Sequence, residues 1–176
     1  MIDRYFELSS KGIKSAAPHR LYLGCRFVGF RQSKECQESA AKYCDVVSVN
    51  TYHNSVANVD PKSFGGKPIL IGEFHFGTYD RGMFSASLCP VGDQQERATS
   101  YQRYVQGALV HPNMIGAHWF QFRDQPLTGR WDGEGYQIGF VDVADTPSPE
   151  MIKASREVGE HMSTYRMNGK LNNSMK

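Results

Sequence analysis

Four runs of residues that are apolar nearly throughout constrain this chain more than any other feature: Leu21 to Phe27, Val46 to Tyr52, Pro68 to His75 and Met114 to Phe122. A strand without an alternating polar face is buried on both sides, which is the condition of a parallel sheet covered by helices. The segments between the runs supply most of those helices. Ile2, Tyr5, Phe6, Ser9 and Ile13 recur at helical spacing until Pro18 closes the segment. Cys36, Ala40, Tyr43 and Cys44 repeat that spacing behind Ser33, a candidate N-cap. Asp93 with Glu96 three residues on resembles a capping box, and Tyr101, Tyr104, Val105, Ala108 and Leu109 then mark one apolar face. A last helix is expected from Ser148-Pro149, with Met151, Val158 and Met162 on its core side. Only the crossover before Pro68 is weak, since Asp60-Pro61 can start no more than a short helix. The expectation is an α/β fold, either an open doubly wound sheet or part of a barrel; periodicity does not choose between them. A complete (β/α)₈ barrel needs about 200 to 250 residues, and four units are half of one.

Composition narrows the function. With 40% hydrophobic and 22% charged residues the chain can bury a core, so it is read as one domain, residues 1–167, followed by a polar, frayed tail over 168–176. Lys and Arg number 20 against 18 acidic residues, and a balance of +2 leaves no electrostatic footprint for nucleic acid or an anionic membrane. The expected partner is neutral. No apolar run approaches the roughly 20 residues of a membrane span, and the N-terminus lacks the pattern of a signal peptide. Ile2 to Phe6 read as entry into a helix already under way, so the natural start is expected upstream. Cys25, Cys36, Cys44 and Cys89 form no C-x-x-C pair, two of them sit in apolar patterns, and they read as buried free thiols rather than a disulfide framework or zinc site.

The chemistry is expected at the carboxyl ends of the strands. Glu73 ends the third apolar run, and period-2 alternation places Ile69, Ile71, Glu73 and His75 on one side. A buried unpaired carboxylate costs several kcal/mol, so this one is expected to be paired, solvated or in use. Arg26, Asn50, Tyr52, His75, Trp119, Gln121, Arg123 and Asp124 fall at or just past the same ends, where a parallel barrel gathers its site. Each alone has a bland reading as rim packing or a surface partner; four strands ending alike do not. Trp119, and then Trp131 and Tyr136 in the following Gly-rich loop, offer aromatic faces for the C–H faces of sugar rings, while Asn, Gln, Arg and His suit hydroxyls. The sequence has no G-x-S-x-G, Walker loop, G-x-G-x-x-G after a strand, or H-E-x-x-H. A metal held by Glu73-x-His75 with His53 or His118 is a weak rival without a spacing signature, so no metal and no cofactor are expected.

Three segments carry a resemblance: Gly72-Glu-Phe-His-Phe-Gly77 with Asp80-Arg-Gly82, His118-Trp-Phe-Gln-Phe-Arg-Asp-Gln-Pro-Leu-Thr-Gly-Arg130, and Gly139-Phe-Val-Asp-Val-Ala-Asp-Thr-Pro147. The chain resembles the β-agarases of glycoside hydrolase family 50 over nearly its whole length. In that clan of retaining barrel glycosidases the nucleophilic glutamate ends the seventh strand, a tyrosine or histidine ends the sixth and an aromatic follows the eighth. The resemblance thus implies strands five to eight of a (β/α)₈ barrel, with Glu73 the nucleophile and Tyr52 and Trp119 in the other two places. It implies a fragment of an enzyme cleaving β-linked galactans, agarose or agaro-oligosaccharides, whose full-length relatives are secreted or periplasmic. The alternatives are a β-galactosidase of the same clan, or a non-catalytic half-barrel that binds sugar or needs a partner chain. The clan's acid/base glutamate ends strand four, usually after an asparagine, and no Asn-Glu pair occurs in this sequence. The chain is therefore expected to need the missing N-terminal half-barrel and to be inactive alone.

Overall fold

The computed structural model describes residues 1–169. The elements follow the order α1 (Ile2–Ala16), β1 (Arg26–Val28), α2 (Lys34–Tyr43), β2 (Val47–Asn50), a 3₁₀ turn (Ser63–Gly66), β3 (Ile69–Phe74), α3 (Gln94–Val110), β4 (Met114–Trp119) and α4 (Pro149–Asn168). All neighbours pair in parallel, in the order β1-β2-β3-β4. The helix starts use the residues the sequence offers. Ser33 Oγ accepts from the Cys36 amide and Asp93 Oδ1 from the Glu96 amide, while the Glu96 carboxylate reaches one residue further back, to the Gly92 amide. The weak crossover from β2 to β3 yields only the 3₁₀ turn, pinned by buried Phe64, whose ring stacks on Phe27 at 5.4 Å. Asn168 closes α4 and Gly169 follows in the left-handed conformation at φ 60°; the remainder of the expected tail, 170–176, lies outside the described residues.

The first strand is much shorter than expected. Residues 21 to 25 are not strand because Gly24 sits at φ +64°, where a Cβ would lie 2.5 Å from Cys44 Sγ and 2.9 Å from the Phe6 ring. The chain turns over α1 there and only then enters the sheet.

One face of the sheet carries the core. Val47, Val49, Ile69, Ile71 and Phe74 are buried with Tyr104 and Ala108 of α3, and Phe74 stacks on Tyr104 at 4.1 Å between centroids. Burying such side chains stabilises by roughly 1.5 to 3 kcal/mol each. The other face is less covered: Val28, at the outer edge of β1, is 79% exposed. Cys25, Cys36, Cys44 and Cys89 are all unpaired thiols, and burial pushes those of Cys44 and Cys89 up to about 11, which keeps them inert. No helix among the described residues is long and apolar enough to cross a membrane.

Candidate active site

A bulge in β3 decides where Glu73 points. Val49 pairs with Ile71 but Asn50 pairs with Glu73, so Gly72 is an extra residue on that side; against β4, Ile71 and Phe74 oppose Ala117 and Trp119. Ile69, Ile71 and Phe74 all enter the helix-covered core. Glu73 therefore does not continue the Ile69–Ile71 row, as simple alternation implies, but leaves the sheet on the opposite face. Gly72 makes room for what meets it there. A Cβ at Gly72 would lie 2.8 Å from Arg26 Nε and 2.7 Å from Asn50 Oδ1.

Three strands contribute to the resulting cluster. Arg26 of β1 donates from Nη1 to Glu73 Oε1 at 2.9 Å, and Tyr52, two residues beyond β2, donates its hydroxyl to Oε2 at 2.7 Å. With both oxygens held, the carboxylate has a fixed orientation while its side chain stays 23% exposed. Burial, followed by the bond to Glu73, pushes the Tyr52 phenol well above its ordinary range, so it serves as a donor and not as a base. Asn50, paired in register with Glu73, has a buried Oδ1 with no hydrogen-bond partner.

Two of the expected contacts are elsewhere. Trp119 does not face Glu73: its indole Nε1 donates to the Ile138 carbonyl at 2.7 Å, and its ring packs at 5.2 Å from Phe74 and 5.5 Å from Tyr101 on the core side. A register shift near the start of β4, where Met114 opposes Ile69 but Gly116 opposes Leu70, changes which residues share a face. His75 is 1% exposed with both ring nitrogens engaged, so it is free neither to touch a sugar nor to ligate a metal. His53 and His118 are exposed and do not join it.

The remaining residues lie on the loop after β4. Gln121 donates to the Arg123 carbonyl, and Arg123 pairs with Asp145 at the surface. Trp131 is 95% exposed between Arg130 and Asp132, which are themselves ion-paired, with Arg130 also bonded to Glu134. That loop lies against the loop after β3 through bridges of Thr78 with Gln137 and Ser85 with Tyr136. Asp124 is buried and accepts from the Gly139 amide at 2.6 Å; desolvation raises its pKa. Phe120 lies half-buried with its ring 6.1 Å from that of His75. It follows Trp119 directly, and period-2 reading from the observed Trp119 orientation is the signal that finds it.

The parallel α/β sheet thus lifts one oriented carboxylate at its carboxyl edge, among guanidinium, phenol and amide groups. No family model matches the chain. Two curated relatives do: β-agarase A of Vibrio sp. (strain JT0107), 40% identical over 162 residues, and β-agarase B of the same organism, 38% identical over 167 residues. These alignments cover 88% and 93% of this chain but 16% and 18% of the relatives, so the chain spans less than a fifth of their length. A solved exo-β-agarase superposes with TM-score 0.88 at 41% identity, covering 94% of this chain and 23% of that one. By sequence and fold the chain matches one segment of the β-agarases of glycoside hydrolase family 50.

Proposed function

We propose that this chain is the strand-five-to-eight half of a (β/α)₈-barrel retaining glycosidase, that Glu73 is its nucleophile, and that its substrate is a β-linked galactan, agarose or its oligosaccharides. The observation that carries the reading is Glu73 itself, held at both oxygens at the carboxyl edge of a parallel sheet. In a retaining mechanism one carboxylate attacks the anomeric carbon while a second carboxyl group, about 5 to 5.5 Å away, protonates the leaving oxygen and later activates water. Arg26 and Tyr52 hold the attacking oxygens in place. Gln121, Arg123 and exposed Trp131 suit a polymer leaving the cleft along the loop after β4. The proton donor must come from another segment. Glu134 is bonded to Arg130 and Gln125, and Asp124 is buried on the Gly139 amide.

The half-barrel reading is supported at both ends of the sheet. Leu21 and Val28 are exposed beside β1, and beyond β4 lies a groove of about 770 Å³ lined by Tyr101, Val105, Met114, Ile115, Met162 and Met167 among others. Residues 1–167 then form part of one catalytic domain, and the missing four strands cover both edges. The test is a reducing-sugar assay on agarose with three proteins: this chain, this chain joined behind the upstream barrel segment of a β-agarase, and that joined protein with Glu73→Gln. Activity is expected only in the second, with the Gln variant lower by about 10⁴-fold or more. Activity in the isolated chain would misplace the acid/base, and an active Gln variant would make Glu73 structural.

A further inference from the structure

Next to Glu73 is a histidine that the proposed chemistry does not use. His75 Nδ1 lies 3.1 Å from the Phe120 carbonyl oxygen, and its Nε2 lies 3.2 Å from the Leu88 amide nitrogen. A carbonyl oxygen only accepts and an amide N–H only donates, so the two partners specify the tautomer: the proton is on Nδ1 and the free pair on Nε2. Neither partner tolerates the alternative, and a second ring proton would face the Leu88 N–H. The imidazole thus ties the end of β3 to the end of β4 and to the loop that leads into α3. Its neighbours are aromatic. The Tyr52 ring lies 4.6 Å away between centroids, tilted by 51°, and the Tyr136 ring 5.6 Å away, edge on.

We propose that His75 is a positioning residue for Glu73, acting through Tyr52. Tyr52 lies two residues beyond the end of β2, where strand alternation no longer dictates its ring direction; the His75 ring beside it does. The Tyr52 hydroxyl then reaches Glu73 Oε2 at 2.7 Å. A shift of about 1 Å in a reacting group is enough to cost roughly 10²-fold in rate, so a rigid neighbour to this phenol has a purpose in a glycosidase. That consequence rests on reading Glu73 as the nucleophile; the positioning itself does not. The charged and titratable groups facing the imidazole are Arg97 of α3 and the phenols of Tyr52 and Tyr136. Burial, aided by the Arg97 charge and opposed by the bond to the Phe120 carbonyl, lowers the His75 pKa to about 4, so the ring is neutral at physiological pH.

The test uses the 176-residue chain itself. Imidazole ¹⁵N–¹H spectra at neutral pH are expected to show His75 protonated on Nδ1 alone; a proton on Nε2, or on both nitrogens, overturns the proposal. The second measurement is the exchange rate of the Tyr52 hydroxyl proton, assigned by its loss in Tyr52→Phe. In His75→Asn it is expected to exchange about tenfold or more faster, the factor that goes with losing a hydrogen bond to a charged group. Amide protection over Ile69–Phe74 should persist in the same variant. An unchanged hydroxyl rate in a folded His75→Asn makes His75 merely structural. Should that variant fail to fold, His75→Gln, whose amide still offers an acceptor towards Leu88 but no ring to Tyr52, gives the same two outcomes, and the tautomer in the unaltered chain remains decisive. None of these readouts involves hydrolysis, so a wrong nucleophile and a wrong positioning residue fail separately.

Discussion

Two arginines, one at the first residue of β1 and one in the first turn of α3, face opposite circumstances. Arg97 is 1% exposed and donates only to protein: Nε to the Phe76 carbonyl at 3.1 Å, Nη1 to Gln94 Oε1 at 2.9 Å and Nη2 to the Gly139 carbonyl at 2.5 Å. Around it Thr78, Asp80, Gln94 and Gln137 close on one another, so the loops after β3 and β4 are locked together. Arg26 has a side chain 49% exposed and is bonded to Glu73 through one nitrogen, with space around the rest. One cluster is satisfied and shut; the other is oriented and open. A shut network contributes shape, whereas an open one keeps binding capacity for something else, and the two should respond differently to the same substitution.

The largest effect is expected at the shut network. Arg97→Met removes a guanidinium whose partners, two carbonyls and an amide oxygen, are then left buried and unpaired at about 1 to 3 kcal/mol each, less whatever water recovers. A loss of about 3 to 5 kcal/mol in urea unfolding is expected. Burial already lowers the Arg97 pKa to about 10, still well above neutral, so the charge is present throughout the physiological range. A loss below about 1 kcal/mol would show that the network is not shut and would end the contrast with Arg26.

A pH titration sharpens the comparison, because His75 lies between the two clusters. Its folded pKa is lowered to about 4 from the ordinary histidine value near 6.5, mainly by burial. For a group depressed in the folded state, the unfolded chain takes up the proton first; the stabilisation is complete above pH ~6.5 and is lost as pH falls towards ~4. Some 3 kcal/mol is expected to disappear over that window, and denaturant midpoints measured through it should lose this slope in His75→Asn. Persistence of the slope in the variant would assign it to other groups. Tyr52→Phe is expected to cost less, about 1.5 to 3 kcal/mol at most, because it removes one hydrogen bond to a charged carboxylate that is still partly solvated.

How much of this was legible from residues alone depends on where the partners lie. The four strands were legible because Leu21–Phe27, Val46–Tyr52, Pro68–His75 and Met114–Phe122 are apolar without alternation, and Glu73 was legible as the one carboxylate ending such a run. The face it uses was not. Bulges at Gly72 and near Ile115 each shift the period by one, so Glu73 left the Ile69 row and Trp119 turned to the core, while Phe120 took the other side. A bulge has no signature in side-chain hydropathy beyond a glycine, and glycines are common. Gly24 likewise shortened β1 through contact with Cys44 and Phe6, which are distant in sequence. The Arg97 network was invisible because its arginine bonds backbone oxygens 21 and 42 residues away, which any residue could supply. His75 looked like a sugar contact because its type suits hydroxyls; only the two backbone partners reveal that its capacity is spent.

The smallest stability effect should come from Arg26, and it tests the open side of the comparison. Arg26→Met deletes a partly exposed ion pair, for which about 0 to 1 kcal/mol is typical, and Glu73 retains its bond from Tyr52. Gly72→Ala attacks the same pair from another direction. Its backbone needs no left-handed angle, so alanine is compatible with the strand, but the new Cβ would come within 2.8 Å of Arg26 Nε and 2.7 Å of Asn50 Oδ1 and must displace both side chains. Arg26→Met should therefore change the unfolding free energy in urea by no more than about 1 kcal/mol, and Gly72→Ala, which must move both side chains, by about 1 to 2 kcal/mol. In the barrel completed with an upstream β-agarase segment, both should lower kcat/KM together by about tenfold or more, through loss of an oriented carboxylate. If Gly72→Ala instead destabilised as much as Arg97→Met, the space beside Glu73 would be packed rather than open, and the distinction between the two arginines would fail.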